Sequence, residues 1–196
     1  MIDLIEKNKI RLTKYVDFLI EYNNKINLIG KSTINDIWDR HITDSLQLVK
    51  NIDNYNIKIA DLGSGAGLPG IPLSIIGIKE VHLFEKSVRK CEFLEQAKNF
   101  SNNKIIVRNE NLNEIKKENF DIIVSRALAD LNTLLHFSKN LSTKSTKLLF
   151  LKGKKIYNEI EEAKKYWHFD YKLIDSITSN EGKIIEITSF AEKSNY

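Results

Sequence analysis

A glycine-rich stretch that directly follows a short apolar run is the feature that most constrains the fold of this chain. The apolar run ends at Asp61, and four glycines then occur within eight residues, namely Gly63, Gly65, Gly67 and Gly70. Glycine lets the backbone turn tightly and lie close against a ligand because it has no Cβ atom. A strand that leads through such a loop into a helix predicts a binding site for a nucleotide-like molecule.

Strands and helices alternate along the chain from residue 57 onwards. Apolar runs bounded by turn residues predict five strands, at residues 57–62, 81–84, 104–107, 120–124 and 148–151. Helical patterns predict helices at residues 69–76, 87–100, 131–141 and 156–167, and a short one near Asn113. Two last strands, 171–177 and 183–190, are joined through Gly182 and predict an antiparallel hairpin. The alternation predicts an α/β fold with a mostly parallel seven-stranded sheet and helices on both faces.

The first fifty residues have a helical pattern instead. Apolar side chains recur at helical spacing up to Tyr22, and two further helices are predicted over residues 32–38 and 41–49. We therefore expect the chain to divide into a helical extension, residues 1–54, packed on a main domain, residues 55–196.

Composition and charge narrow the class of protein. The net charge is +4, a mildly basic balance that permits nucleic acid as a partner without requiring it. Cys91 is the only cysteine, so the chain has no internal disulfide and no cysteine-based zinc site, and we expect no metal. No apolar run approaches the ~18 residues that a membrane helix needs. We expect a soluble, monomeric protein of the cytoplasm with no membrane contact.

The glycine spacing fits two kinds of site. Gly65, Gly67 and Gly70 match the dinucleotide fingerprint, and Glu85 stands 20 residues after Gly65, where that fold places its ribose-binding acid. The pattern from Asp61 to Gly67 instead matches the loop of Rossmann-like methyltransferases that bind S-adenosylmethionine. Three features favour the methyl donor: the charge of Asp61 would repel a pyrophosphate, little chain remains for the substrate domain of a dehydrogenase, and the terminal hairpin resembles the reversed last strand of class I methyltransferases.

Candidate donor-binding residues stand at predicted strand ends. The Glu85 carboxylate suits the two hydroxyls of a ribose, and a surface ion pair with Lys86 or Arg89 is the alternative. Asn109 and Glu110 follow the third strand, where class I methyltransferases often contact adenine, and a helix-start role is the alternative. The candidates from these patterns are Asp61, Gly63, Ser64, Gly65, Gly67, Glu85, Asn109 and Glu110.

Basic residues also collect at the carboxyl ends of the predicted strands, where open α/β sheets bind ligands. They are Lys86, Arg89 and Lys90 after the second strand, Arg126 after the fourth, and Lys152 and Lys154 after the fifth. Such a rim would attract a polyanion such as RNA, although each residue alone is equally well explained as a solvated side chain. Arg126 and Lys152 stand directly at strand ends and are the candidates for a part in catalysis. The planar fork of Arg126 suits either the carboxylate of the donor or an RNA phosphate.

The segment from Arg40 to Leu46 is dense in polar chemistry. On a helix His41 would neighbour Asp44 and Ser45, which superficially resembles a Ser/His/Asp hydrolase. Helical neighbours cannot also form the strained turn that carries the nucleophile of such hydrolases. Hydrogen bonding between the N-terminal helices and the glycine loop is one interpretation of the segment. Gating of the site, or contact of Arg40 and His41 with RNA, is the other.

Together these motifs resemble the RsmG family, also called glucose-inhibited division protein B. The resemblance covers most of the chain and rests on Asn27–Gly30, Arg40–Leu46, Asp61–Ile71, Lys90–Leu94, Ser125–Ala127 and Lys152–Gly153. It implies a class I S-adenosylmethionine-dependent methyltransferase that forms 7-methylguanosine in bacterial 16S ribosomal RNA, free or in the 30S particle. It also implies donor contacts at Gly63, Leu68, Asn109, Glu110 and Arg126. The family usually has a small residue at the position of Asn109, and a backbone contact to adenine would survive that difference.

Three alternatives remain open. A methyltransferase of the same fold could act on a small molecule or a protein. A noncatalytic ribosome-assembly factor could bind RNA and keep the donor as a structural ligand, and a nicotinamide-dependent oxidoreductase could use the same loop. Methylation of guanine N7 needs no general base, because that nitrogen has a lone pair and no proton, and the sequence contains no evident catalytic base.

Overall fold

A seven-stranded sheet forms the centre of the computed structural model, which describes residues 1–194. Its strands are β1 (Lys58–Leu62), β2 (Glu80–Phe84), β3 (Lys104–Arg108), β4 (Ile122–Arg126), β5 (Lys147–Lys152), β6 (Trp167–Asp175) and β7 (Lys183–Glu192). They lie in the order β3-β2-β1-β4-β5-β7-β6. Strands β1 to β5 are parallel, and β7 runs antiparallel to both of its neighbours. This arrangement confirms the predicted mostly parallel sheet with a closing hairpin.

The strand order brings two loops together at the carboxyl edge of the sheet. The chain runs outward from β1 to β2 and β3, and then returns to the other side of β1 to form β4. The residues after β1 and after β4 therefore meet where the strand order reverses, which is where open α/β sheets bind ligands. Leu62 and Ser125 are partners in register there, and the Ser125 hydroxyl donates to the Leu62 carbonyl at 2.9 Å.

Helices cover both faces of the sheet, as predicted. They are α1 (Ile2–Asn23), α2 (Asp44–Leu46), α3 (Gly70–Ile75), α4 (Val88–Ala97), α5 (Leu131–Ser138) and α6 (Ile156–Ala163). Successive side chains of a strand point to opposite faces. Accordingly, Ile59 belongs to a buried cluster with Ile71 of α3, whereas Ala60 belongs to a second cluster with Leu134 of α5 and Ile160 of α6.

The N-terminal helix packs on α3 and α4 through the apolar stripe that the sequence predicts. Leu12, Val16 and Leu19 are buried, and the ring of Phe18 stacks on Phe93 of α4 with centroids 5.3 Å apart. One buried cluster spans this helix and the sheet. The division of the chain at residue 54 stays a prediction. The last two residues of the predicted main domain, 195 and 196, lie outside the described residues. None of the helices within residues 1–194 is long and apolar enough to cross a membrane.

The helices predicted over residues 32–38 and 41–49 are wrong in form. This part of the chain instead forms a 3₁₀ turn (Lys31–Thr33), a π-helical stretch (Trp38–Thr43), the single turn α2 and a second 3₁₀ stretch (Gln47–Asn51). Polar side chains here compete with the regular hydrogen bonds of a helix. The Ser45 hydroxyl, for example, donates to the His41 carbonyl at 2.6 Å.

The predicted boundary between the last helix and the hairpin is also wrong. Helix α6 ends at Ala163, and β6 begins at Trp167, four residues before the predicted start. Trp167 is buried against Phe190 of β7, with ring centroids 5.9 Å apart, and its indole N–H donates to the Asn132 side chain at 2.8 Å. Pairing with β7 extends the strand backwards, and helical periodicity along the chain does not register such a tertiary contact.

Candidate active site

The loop between β1 and α3 has a backbone that glycine adopts far more easily than other residues. Gly63, Gly65 and Gly67 have φ angles of 68°, 55° and 80°, all in the left-handed region. A Cβ atom at Gly67 would also lie 2.4 Å from a side-chain carbon of the first turn of α3. The loop is anchored to β2 because the Ser64 N–H donates to the Phe84 carbonyl at 3.0 Å. The predicted glycine loop therefore forms a shaped cradle at the carboxyl edge of the sheet.

Asp61, the acid before the glycines, is fully buried. Its Oδ2 accepts a hydrogen bond from the Gly70 N–H at 2.9 Å, which fixes the start of α3. Burial raises the pKa of this carboxyl to about 7, although the Gly70 N–H acts in the opposite direction. Its Oδ1 has no hydrogen-bond partner among the described residues. Since a buried acceptor without a partner costs free energy, this oxygen suits a donor group supplied by a ligand.

Glu85 follows β2 directly and lies beside the glycine loop. Its Oε2 accepts a hydrogen bond from the Gly65 N–H at 3.1 Å, and its Oε1 accepts one from the Ser87 N–H at 2.8 Å. Ser87 caps α4, because its hydroxyl accepts from the Lys90 N–H. The carboxylate is thus held by backbone groups on both sides, and neither Lys86 nor Arg89 forms the ion pair that was its alternative explanation.

Asn109 and Glu110 follow β3 at the same edge, but their side chains are engaged within the protein. The Asn109 amide donates to the carbonyls of Glu85 and Lys86, both at 3.1 Å, and so ties the ends of β2 and β3 together. The Glu110 carboxylate pairs with Arg108 at 2.5 Å. The predicted contact of Asn109 and Glu110 with adenine stays a prediction.

Tyr15 of α1 contacts the glycine loop, a role that the sequence does not reveal. It is fully buried, and its hydroxyl donates to the Ala66 carbonyl at 2.6 Å. Burial raises the pKa of this phenol well above its usual value, so the hydroxyl keeps its proton. The only signal in the sequence is a polar tip within an otherwise apolar stripe, since a buried tyrosine hydroxyl usually has a partner.

A cleft of about 750 Å³ opens beside the glycine loop, between the ends of β4 and β5, the residues before α2 and the β6–β7 turn. Leu128 joins the cleft to the loop, because a Cβ atom at Gly63 would lie 2.5 Å from Cδ1 of Leu128. The cationic residues that line it are Arg40, Arg126, Lys152, Lys154, Lys155 and Lys183. Four of the predicted RNA-contacting residues therefore line one cleft, namely Arg40, Arg126, Lys152 and Lys154.

The other predicted RNA-contacting residues lie elsewhere. Lys86, Arg89 and Lys90 follow β2 at the start of α4, on the far side of the glycine loop, and they do not line the cleft. Lys86 and Arg89 are exposed there. Within the cleft, Lys154 is 71% exposed and lies 3.7 Å from Glu181, so its charge remains available to a polyanion.

His41 lines the cleft as a neutral side chain. It is buried, and its Nε2 is 2.7 Å from the Thr33 hydroxyl. Burial, with the positive charges of Arg126 and Arg40, lowers the pKa of the imidazole to about 4. The Ser45 hydroxyl donates to the backbone of His41 and not to its ring, so these residues do not form the arrangement of a hydrolase. An RNA contact of His41 near neutral pH would therefore be a hydrogen bond and not an ion pair.

Lys152 lines the cleft, but its ammonium is already engaged. Its Nζ lies 2.5 Å from Oε2 of Glu159 and donates to the Ala129 carbonyl at 2.7 Å. The same Glu159 oxygen accepts from the Leu131 N–H at 2.9 Å. Only 8% of the Lys152 side chain is exposed. The pair therefore ties β5 and α6 to the chain between β4 and α5. The RNA contact of Lys152 stays a prediction.

Lys152→Met is accordingly expected to lower the stability of the fold as well as RNA binding. It leaves the Glu159 carboxylate with the Leu131 N–H alone, and breaking a largely buried ion pair costs roughly 3 kcal/mol. The free energy of unfolding in urea measures this loss. Lys154→Met is the matched control, because its exposed ion pair contributes little to stability. Equal stability of the two variants would contradict a structural role for Lys152.

Comparison with known proteins agrees with this geometry. A family model described as rRNA small subunit methyltransferase G (GidB) matches residues 8–188. The chain is 43% identical over 190 residues to the ribosomal RNA small subunit methyltransferase G of Rickettsia rickettsii (strain Sheila Smith). The aligned region covers 97% of this chain and 96% of that protein.

Solved structures show the same fold at low sequence identity. A ribosomal protein L11 methylase from Lactobacillus delbrueckii subsp. bulgaricus has a TM-score of 0.60 and 18% identity, with 76% of this chain and 77% of that one covered. A TehB-like SAM-dependent methyltransferase from Corynebacterium glutamicum has a TM-score of 0.56 and 18% identity, with 74% and 86% covered. These likenesses confirm the class I, Rossmann-like methyltransferase fold. Because the family model spans most of the sequence and the Rickettsia relative aligns over nearly its whole length, the chain belongs to the rRNA small subunit methyltransferase G (RsmG) family.

Proposed function

We propose that this protein uses S-adenosylmethionine to form 7-methylguanosine in the 16S ribosomal RNA of the bacterial small subunit. The observation that carries the proposal is that two features lie next to each other at the carboxyl edge of the sheet, where the strand order reverses. One is a cradle of left-handed glycines beside the Glu85 carboxylate. The other is a cleft lined by Arg40, Arg126 and four lysines. Membership of the rRNA small subunit methyltransferase G family supports the same function.

The residues of the loop fit the proposed donor. The Glu85 carboxylate, already oriented by two backbone N–H groups, has remaining lone pairs for two ribose hydroxyls. The unpartnered Oδ1 of Asp61 suits an N–H group from the cationic donor. The loop from Gly63 to Leu68 and the backbone at Asn109 and Glu110 would complete the donor site, with Arg126 at the boundary between donor and RNA.

The proposed chemistry asks the protein for alignment and not for proton transfer. When bound, S-adenosylmethionine supplies an electrophilic methyl group on a positively charged sulfur. Guanine N7 has a lone pair and no proton, so the new N–C bond forms as the C–S bond breaks and no residue needs to remove a proton. A mechanism without a general base is consistent with the state of His41. Its lowered pKa and its contact with Thr33 make this imidazole a poor candidate for a base. Holding the reacting atoms in line can supply roughly 7–11 kcal/mol.

The cleft supports RNA as the acceptor. Neutralising phosphates with lysine and arginine releases counterions and supplies most of the nonspecific affinity of such proteins. The target guanine must be presented out of its stack or in an open loop before its N7 can reach the donor. We further propose that the protein acts as a monomer in the cytoplasm, and that its substrate is the small-subunit RNA, either free or within the 30S particle.

The test is transfer of labelled methyl groups from S-adenosylmethionine to 16S ribosomal RNA that lacks its 7-methylguanosine. The RNA is offered both naked and within the small subunit, and the product is mapped by cleavage at 7-methylguanosine. We expect label at a single guanine. Transfer to protein or to small molecules alone would favour a different acceptor, and donor binding without transfer would favour a noncatalytic assembly factor. Binding of a nicotinamide cofactor in place of the donor would favour an oxidoreductase.

A further inference from the structure

Asp44 connects three parts of the chain that are distant in sequence. Its Oδ1 accepts hydrogen bonds from the Thr178 hydroxyl at 2.7 Å and from the Gln47 amide at 2.8 Å. Its Oδ2 lies 3.5 Å from Nη1 of Arg126. Thr178 belongs to the turn between β6 and β7, and Arg126 is the last residue of β4. The two oxygens of one carboxylate therefore have separate partners.

The surroundings of Asp44 favour a single orientation of the Arg126 guanidinium. Both side chains are 18% exposed, so their attraction is screened less than that of a surface pair. The same Nη1 donates to the Arg40 carbonyl at 3.1 Å, which fixes the guanidinium from a second direction. Arg126 is thus held by the Arg40 carbonyl and by the Asp44 carboxylate. Both residues belong to the Arg40–Leu46 segment, whose polar pattern superficially resembles a hydrolase in the sequence.

The β6–β7 turn is hydrogen-bonded to Asp44 and to its neighbour Gln47. Gln47 donates to Asp44 through its amide nitrogen and accepts from the Ile177 N–H through its oxygen at 3.0 Å. The turn and the residues before α2 both line the cleft. Asp44 thus lies at the centre of a polar network that shapes the cleft around Arg126.

We propose that Asp44 is a positioning residue for the reaction, which acts by holding the Arg126 guanidinium at the wall of the cleft where RNA binds. The inference rests on the proposed function, since it names the residue through which the N-terminal segment serves that site. Asp44 need not contact RNA or donor itself. Its effect on activity should therefore depend on the presence of Arg126, whereas a merely structural effect should not.

Asp44→Asn separates the two roles of the carboxylate. The amide keeps an oxygen for Thr178 and Gln47, but it turns an N–H₂ group toward Arg126 and removes the charge. We expect the KM for RNA to rise about five- to tenfold, with the Kd for S-adenosylmethionine and the melting temperature little changed. Asp170→Asn is the matched control, because Asp170 is exposed on β6 and its one side-chain partner within residues 1–194 is Ser189.

A double-mutant cycle with Arg126→Ala decides whether the effect passes through Arg126. We expect Asp44→Asn to change the KM little once Arg126 is absent, within about twofold. Additive effects, or a wild-type KM in Asp44→Asn, would overturn the positioning role while leaving the proposed function intact. Absence of methyl transfer by the wild-type protein in the same assay would overturn both. A loss of melting temperature that parallels the loss of activity would assign Asp44 to folding instead.

Discussion

Gly70→Ala is expected to lower donor affinity by at least an order of magnitude and to destabilise the fold. A Cβ atom at position 70 would lie 2.5 Å from Cδ2 of Leu83 and 2.7 Å from Oδ2 of Asp61. Both residues are fully buried in a close-packed region, so neither can move without disturbing its neighbours. Overpacking costs roughly 1–3 kcal/mol. Displacing the Asp61 carboxylate from the Gly70 N–H would add a penalty of similar size.

Calorimetric titration with S-adenosylmethionine and thermal unfolding check the two parts of this prediction. Gly30→Ala is a matched control, because a Cβ atom there meets nothing closer than 3.9 Å. The backbone of Gly30, with φ −61° and ψ 132°, is also one that alanine adopts readily. A wild-type donor affinity in Gly70→Ala would show that the position of α3 relative to the loop is unimportant for binding.

The donor side of the site is predictable from sequence because its determinants are local. Asp61, the glycines and Glu85 each stand at or just after the end of a strand, and parallel strands bring their carboxyl ends to one edge. Once the strands are recognised, the neighbourhood of Gly65 and Glu85 follows from their order, although they are 20 residues apart. The fold class follows in the same way from the alternation of strands and helices.

The cleft side is less predictable because its contacts are long-range and polar. Arg126 meets Asp44 across 82 residues, and Thr178 meets Asp44 across 134. No periodicity connects such positions, and a basic residue at a strand end has the same appearance in sequence whether it is free or paired. Lys152 illustrates this, since the sequence presents it as a cation at the rim whereas the structure shows it joined to Glu159.

Glu85→Ala is expected to weaken donor binding by about a hundredfold while leaving RNA binding nearly unchanged. The substitution removes the acceptor for the Gly65 and Ser87 N–H groups together with the proposed partner of the ribose hydroxyls. Hydrogen bonds to a charged group contribute about 1.5–3 kcal/mol each, so loss of the ribose contacts alone accounts for an effect of this size. Titration of the donor by calorimetry measures the Kd directly, and Glu161→Ala, on the exposed surface of α6, is the control.

The kinetics of Glu85→Ala distinguish donor binding from catalysis. If Glu85 acts on the ribose alone, the variant should recover most of its kcat at saturating S-adenosylmethionine, because the carboxylate then contacts the ribose hydroxyls and not the sulfonium or its methyl group. A kcat that stays low at saturation would mean that the carboxylate also orients the loop through the Gly65 N–H, and hence the reacting atoms. An unchanged Kd would instead contradict the assignment of Glu85 to the donor site. The role of its carboxylate would then be to accept the hydrogen bonds of the Gly65 and Ser87 N–H groups and so to hold the loop.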